Sequence, residues 1–160
     1  MKKLILVVAI IATALTQESF GQPTTIKHGP GQLLTYYYHV KNALVAGDAT
    51  AASANASAFT KIANSIDQKM ISKSNTHTLA RGAARIAETN DITKQREFFA
   101  DFSAAMAAVA KAVKLTDQPI YQQYCPMKKT SWLSSEKEIR NPYYGSSMLT
   151  CGQVTSTLYQ

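Results

Sequence analysis

The stretch ITKQREFFADFSAAMAAVAKAV, residues 92–113, decides the fold. Its apolar residues Ile92, Phe99, Phe102, Met106, Val109 and Val113 recur in an alternating pattern of threes and fours, and only Gln95 breaks the stripe. A helix turns once in about 3.6 residues, so this spacing lines a single face and predicts an amphipathic helix that Pro119 ends. Upstream, Asn90-Asp91 punctuates the chain. Leu79, Ala83 and Ile86 then predict a shorter third helix, capped by Ser74 or Asn75 and weakened by Gly82. Ala49, Ala52, Ala56, Phe59, Ile62, Ile66 and Met70 give a second helix, and Leu33, Tyr37, Val40 and Leu44 a first that runs to Ala46. Gly47 suits the C-terminus of the first helix and Asp48 the N-cap of the next.

Four amphipathic segments joined by short turns favour packing between consecutive neighbours. The expectation is a mostly α chain: an up-and-down four-helix bundle over residues 31–118, with an irregular C-terminal cap that has room for short strands. Composition agrees with a packed domain. The chain has 160 residues, 46% hydrophobic and 17% charged, with a formal charge of +7. Such a balance excludes disorder.

Residues 1–21 read as a signal peptide, since Met1-Lys2-Lys3 precedes an apolar run from Leu4 to Leu15 and small residues stand at Ser19 and Gly21. That run is short of the roughly 20 residues a spanning helix needs, and no second run approaches that length. The expected mature chain is periplasmic or secreted, carries about +6 and has no membrane span. An exported protein of this charge meets acidic surfaces and no nucleic acid. Residues 22–30 form a leader whose Pro and Gly oppose regular structure.

Residues 119–160 differ in character, with both cysteines, the single tryptophan and several tyrosines. Ile120–Tyr124 reads as a short strand, Ser135 and Glu138 have capping-box spacing for a brief helical turn, and Asn141-Pro142-Tyr143-Tyr144-Gly145 is a turn. A tail of this length has no core of its own and must pack on the helices through Trp132, Leu133 and the tyrosines.

Sulfur dominates the chemistry of this tail. Cys125-Pro126-Met127 and Met148-Leu149-Thr150-Cys151 each pair a thiol with a thioether. Two apart in an extended chain, or three apart in a helical turn, the members of each pair project from the same side. Four converging sulfurs at Cys125, Met127, Met148 and Cys151 suit Cu(I) or Ag(I) far better than Zn(II), Mg(II) or Ca(II). Lys128 and Lys129 favour a thiolate nearby. The alternative is a plain Cys125–Cys151 disulfide, worth about 3–4 kcal/mol by loop closure, stapling the tail. The two readings are compatible if the pair binds metal only when reduced.

The tail pattern Tyr124-Cys125-Pro126-Met127, Trp132-Leu133-Ser134, Ile139, Asn141-Pro142-Tyr143-Tyr144-Gly145 and Met148-Leu149-Thr150-Cys151-Gly152 resembles the domain of unknown function 3347 family of exported bacterial proteins. So does Gln95-Arg96-Glu97 followed by Phe99 and Ser103. The resemblance extends over most of the mature chain. It implies a metal-related periplasmic role, because such domains occur beside or fused to CusB-like adaptors of heavy-metal efflux pumps. This chain carries no adaptor domain, so the resemblance implies a free accessory whose partner is such an adaptor. It implies no catalytic residues.

Other residues carry less. His28, His39 and His77 lack ligand-like spacing, although His39 or His77 is available to complete a metal shell. Glu97 and Asp101 stand four apart on one helix, as paired acid and base carboxylates do, but Lys94 and Arg96 beside them fit a solvated charged face. Gly-x-Ser-x-Gly, His-Glu-x-x-His, a phosphate loop and Cys-x-x-Cys-His are all missing, so an enzyme reading lacks a mechanism. Tyr36-Tyr37-Tyr38 on one side, and Tyr143, Tyr144 and Trp132 on the other, are candidates for an aromatic interaction surface, with packing as the competing use. The functional expectation is a non-enzymatic binding protein that handles soft metal; its rival is a disulfide-stapled interaction module.

Overall fold

A computed structural model describes residues 29–158. The signal-peptide reading, the leader up to His28 and His28 itself lie outside the described residues.

Four helices run in order: α1 (Pro30–Ala46), α2 (Ala49–Ser65), α3 (Lys73–Ala87) and α4 (Ile92–Ala112). Consecutive helices pack on one another, as the bundle expectation requires. Pro30 opens α1, where its missing N–H costs nothing, and Gly47 closes it. Asp48 caps α2 by accepting the Ala51 N–H at 2.8 Å. Ser72, two or three residues earlier than the expected caps, caps α3 by accepting the Asn75 N–H. Asp91 does the same for Thr93 and Lys94 on α4.

Met70 does not continue the α2 stripe. The helix stops at Ser65 because Asp67 turns the chain: its carboxylate accepts the Lys69 N–H, and its carbonyl accepts those of Met70 and Ile71. Met70 is left exposed, and Ile71 enters the core in its place. Gln95 does not break the α4 stripe either. Fully buried, its Nε2 reaches the carbonyls of Ala49 and Thr89 at 2.9 and 2.6 Å, which ties the start of α2 and the end of α3 to α4.

The cap is a sheet more regular than expected. Strands β1 (Ile120–Cys125), β2 (Thr130–Ser134) and β3 (Gln153–Leu158) pair antiparallel in the order β2-β1-β3. The spacing of Ser135 and Glu138 produces no helical turn. The carbonyls of Glu136, Lys137 and Glu138 are gathered by the Nε2 of buried Gln123 at 2.8–3.2 Å instead.

Helices α1 and α4 make few direct contacts, and β2 packs on α4 beside that seam. One directed chain of hydrogen bonds joins the three elements. Leu133 N–H donates to the Tyr37 hydroxyl (2.9 Å), Tyr37 to Ser103 Oγ (2.6 Å), and Ser103 to the Ser131 carbonyl (3.1 Å). Around it Tyr37 stacks on Phe99, and Phe102 meets Phe59 edge-on. Trp132, Leu133 and Tyr143 belong to this same core.

Lys41 is only 4% exposed, with Nζ 3.4 Å from Ser134 Oγ and near the Tyr38 ring. Burial pushes its pKa down to about 8; Glu136 partly offsets this and Arg140 adds to it. The unfolded lysine keeps its ordinary, higher value, so between the two the unfolded chain binds more protons and stability from this group rises with pH. Below pH 8 the penalty is fully in place. Relative to a Lys41→Met variant, the wild type is expected to gain about 2 kcal/mol between pH 8 and pH 10. Paired urea unfolding curves at the two pH values measure it, and a constant difference would refute it.

Candidate sulfur site

Cys125 is the last residue of β1 and has no exposure to solvent. Its Sγ accepts two N–H donors, Asn141 Nδ2 at 3.2 Å and the Lys128 main chain at 3.4 Å. Chain reversal explains the second donor. Pro126–Lys129 is a four-residue turn between paired Cys125 and Thr130, with Lys129 in the left-handed region, and it folds the Lys128 amide back over the sulfur. The Lys128 and Lys129 side chains are exposed, so the influence of this segment on Cys125 runs through backbone.

Cys151, a half-buried residue, is drawn to Cys125 by Asn141, whose Nδ2 bonds the Cys125 sulfur at 3.2 Å and the Cys151 carbonyl at 2.7 Å. Desolvation, and then the Cys125 sulfur itself, raises the Cys151 pKa above the ordinary thiol value. Gly152 makes the approach possible. A Cβ there would come 2.8 Å from the Trp132 ring and 3.0 Å from the Tyr124 carbonyl, so a larger residue would push the chain away just before β3 begins.

Asn141, fully buried, is the hub of the site. Its Nδ2 also donates to the Cys151 carbonyl at 2.7 Å, while Oδ1 accepts the Tyr143 N–H at 2.8 Å. Its main chain bonds Leu149 and Gly145. One side chain thus holds the sulfur of one cysteine and the backbone of the other. Gly145 locks this segment onto the helices: at φ 55° it has no Cβ to run into the Arg96 guanidinium, which donates to the Leu44 carbonyl at 2.9 Å at the end of α1.

Of the four sulfur-bearing residues read from the sequence, the structure brings the two cysteines to one place, around the Asn141 amide. Met127 does not share a strand face with Cys125, because the chain leaves β1 at Cys125; it is 61% exposed in the turn. Met148 ends a short 3-10 helix, Gly145–Met148, and is also exposed, while the Cys151 N–H bonds the Met148 carbonyl at 3.1 Å. His39 and His77 face solvent. Among the described residues no group of three or more His, Cys, Asp or Glu is placed to hold a metal ion. Asp101 pairs with Arg85 at 3.2 Å across α3 and α4, as a solvated charged face does.

The aromatic surface needs correction. Trp132 and Tyr143 are buried, packed edge-on against each other, and the Tyr143 hydroxyl donates to the Ser131 carbonyl. Only Tyr144 of that trio stays half exposed. Their bulk serves the joint between sheet and helices. Sequence reasoning missed Asn141 and the Lys128 amide as sulfur partners; the nearest signal was the Asn-Pro turn.

The family described as protein of unknown function (DUF3347) matches residues 33–118, just over half of the chain. The chain belongs to this family. No curated protein and no solved structure matches it. In this DUF3347 chain the matched region covers all of α2, α3 and α4 and most of α1, and it stops before β1. The sulfur-bearing tail, which carried the most specific part of the resemblance, therefore falls outside the match. No helix among the described residues is long and apolar enough to cross a membrane.

Proposed function

We propose that this protein is an exported, non-enzymatic binding protein in which Cys125 and Cys151 capture a soft monovalent cation such as Cu(I) or Ag(I). The observation that carries the reading is a single buried amide, Asn141 Nδ2, that bonds both the Cys125 sulfur and the Cys151 carbonyl, with the Lys128 N–H as a second donor to that sulfur. On capture each thiol releases its proton to solvent and forms one sulfur–metal bond, with no change in the metal's oxidation state. Two thiolates around a monovalent ion leave one net negative charge, which the Asn141 and Lys128 N–H groups offset. Soft sulfur donors select such ions over Zn(II) or Mg(II). The thioethers of Met127 and Met148, on exposed turns, are assigned to first contact with the incoming ion. The partner class, a CusB-like periplasmic adaptor of a heavy-metal efflux pump, rests on the family resemblance alone.

Anaerobic titration of the reduced protein with Cu(I) against a competing chelator tests the proposal. One ion per chain is expected, with affinity rising with pH because both thiols must deprotonate. A Cys125→Ser, Cys151→Ser double variant is expected to lose about 100-fold or more in affinity, whereas Met127→Leu and Met148→Leu each lose less than about tenfold. Failure of the wild type to compete would sink the proposal.

The same adjacency supports a second reading, in which the two cysteines oxidise and staple the segment before β3 to β1. That form leaves no free thiol when the protein is prepared in air, and it binds Cu(I) only after reduction.

A further inference from the structure

Two segments named for their resemblance, Arg96-Glu97 and Tyr143-Tyr144, are far apart in sequence yet border one cavity of about 250 Å³. It lies between the first turns of α4, the β1–β2 turn and the 143–147 segment. Thr93, Arg96, Glu97, Lys128, Tyr144 and Ser147 line it, with buried Tyr143 alongside. Neither the packing of the core nor the proposed metal capture uses this space.

The polar groups around it are unspent. The side chains of Thr93, Glu97, Lys128, Tyr144 and Ser147 make no hydrogen bond or ion pair with any described residue. Lys128 and Glu97 carry opposite charges on one small cavity without pairing with each other. Arg96 contributes a second cation, one of whose nitrogens is committed to the Leu44 carbonyl.

We propose that this cavity binds a small zwitterion of the free amino-acid class. The ligand carboxylate faces Lys128 and Arg96, its ammonium faces Glu97, and the Tyr144 ring and the hydroxyls of Thr93 and Ser147 complete the lining. Charge decides among ligand classes: a simple anion meets the Glu97 carboxylate, and a simple cation meets two positive side chains. Size agrees, because the cavity is smaller than the roughly 300–1,000 Å³ that drug-sized ligands occupy. The inference stands apart from metal capture, although the Lys128 main chain borders both sites.

The test is a ligand-observed NMR screen of the full chain against each of the twenty common amino acids at millimolar concentration, followed by calorimetry. At least one is expected to bind with Kd below about 1 mM. Glu97→Gln and Lys128→Met, both at exposed side chains, are each expected to weaken it about tenfold or more with Tm unchanged. Acetate and methylammonium, which carry one charge each, are expected to bind at least about tenfold more weakly. The Cys125→Ser, Cys151→Ser variant is expected to bind the amino acid as the wild type does, which separates this inference from the metal proposal. Absence of binding by all twenty overturns it. So does inorganic phosphate that binds as well as the best amino acid and is indifferent to Glu97→Gln.

Discussion

Asn141→Ala is expected to destabilise the protein by about 3–5 kcal/mol, the largest effect of any single polar substitution in the tail. The residue is fully buried, and its amide answers three groups at once. Without it the Cys151 carbonyl and the Tyr143 N–H lose their partners at 2.7 and 2.8 Å, and the Cys125 sulfur loses one of its two donors. An orphaned buried backbone group costs about 1–3 kcal/mol, and the emptied space adds a packing loss. Asn141→Asp is expected to fail comparably, because a carboxylate sets an acceptor against the Cys151 carbonyl and has no donor for the sulfur. Guanidinium unfolding measures both. A loss under about 1 kcal/mol for the alanine variant would mean that water replaces the amide and that Asn141 is no hub.

Tyr37→Phe is expected to cost about 2–3 kcal/mol although it removes a single oxygen. The ring keeps its stacking on Phe99 and its tilted contact with Phe102, so the loss belongs to the hydroxyl. That hydroxyl accepts the Leu133 N–H and donates to Ser103, the only side chain bridging α1 to both α4 and β2 through one directed chain among the described residues. Burial holds its pKa well above the ordinary tyrosine value, so it stays a neutral donor across the physiological range. Equilibrium unfolding gives the energy, and hydrogen exchange gives the place: protection at the Leu133 amide should fall more than at amides within α2 and α3. Unchanged exchange at Leu133 would contradict the proposed linkage.

The helices were legible because each buries a single face, and a single buried face leaves its period in the sequence. The period fails where a polar side chain takes over. Gln95 occupies a stripe position as the amide that joins three helices, and Asp67 ends α2 while the apolar spacing runs on to Met70. Strands β2 and β3 left fainter traces. Thr130–Ser134 is short, and most of β3 is exposed, so it shows no alternation of buried and open positions. Its strand character comes from pairing with β1, which a local reading does not contain. The thiols were legible as chemistry, and their meeting depends on that long-range pairing. The reading of Met127 assumes extended chain after Cys125, where Pro126 begins a turn instead. Asn141 read as a turn former, which it is; nothing local reveals that its side chain faces sulfur.

Tyr37 and Leu133 are separated by 96 positions, and the seam they close lies between the first helix and the last. Ribosomal synthesis delivers the matched helical segment well before the strand that covers this seam, so the nascent helices wait without the contacts that Leu133 makes to Tyr37 and Tyr143 to Phe99. The matched region therefore ends before the strands that complete its core. A truncation after Gln118 would keep every helix and yet present a sticky, incomplete hydrophobic wall to the cell's quality-control machinery.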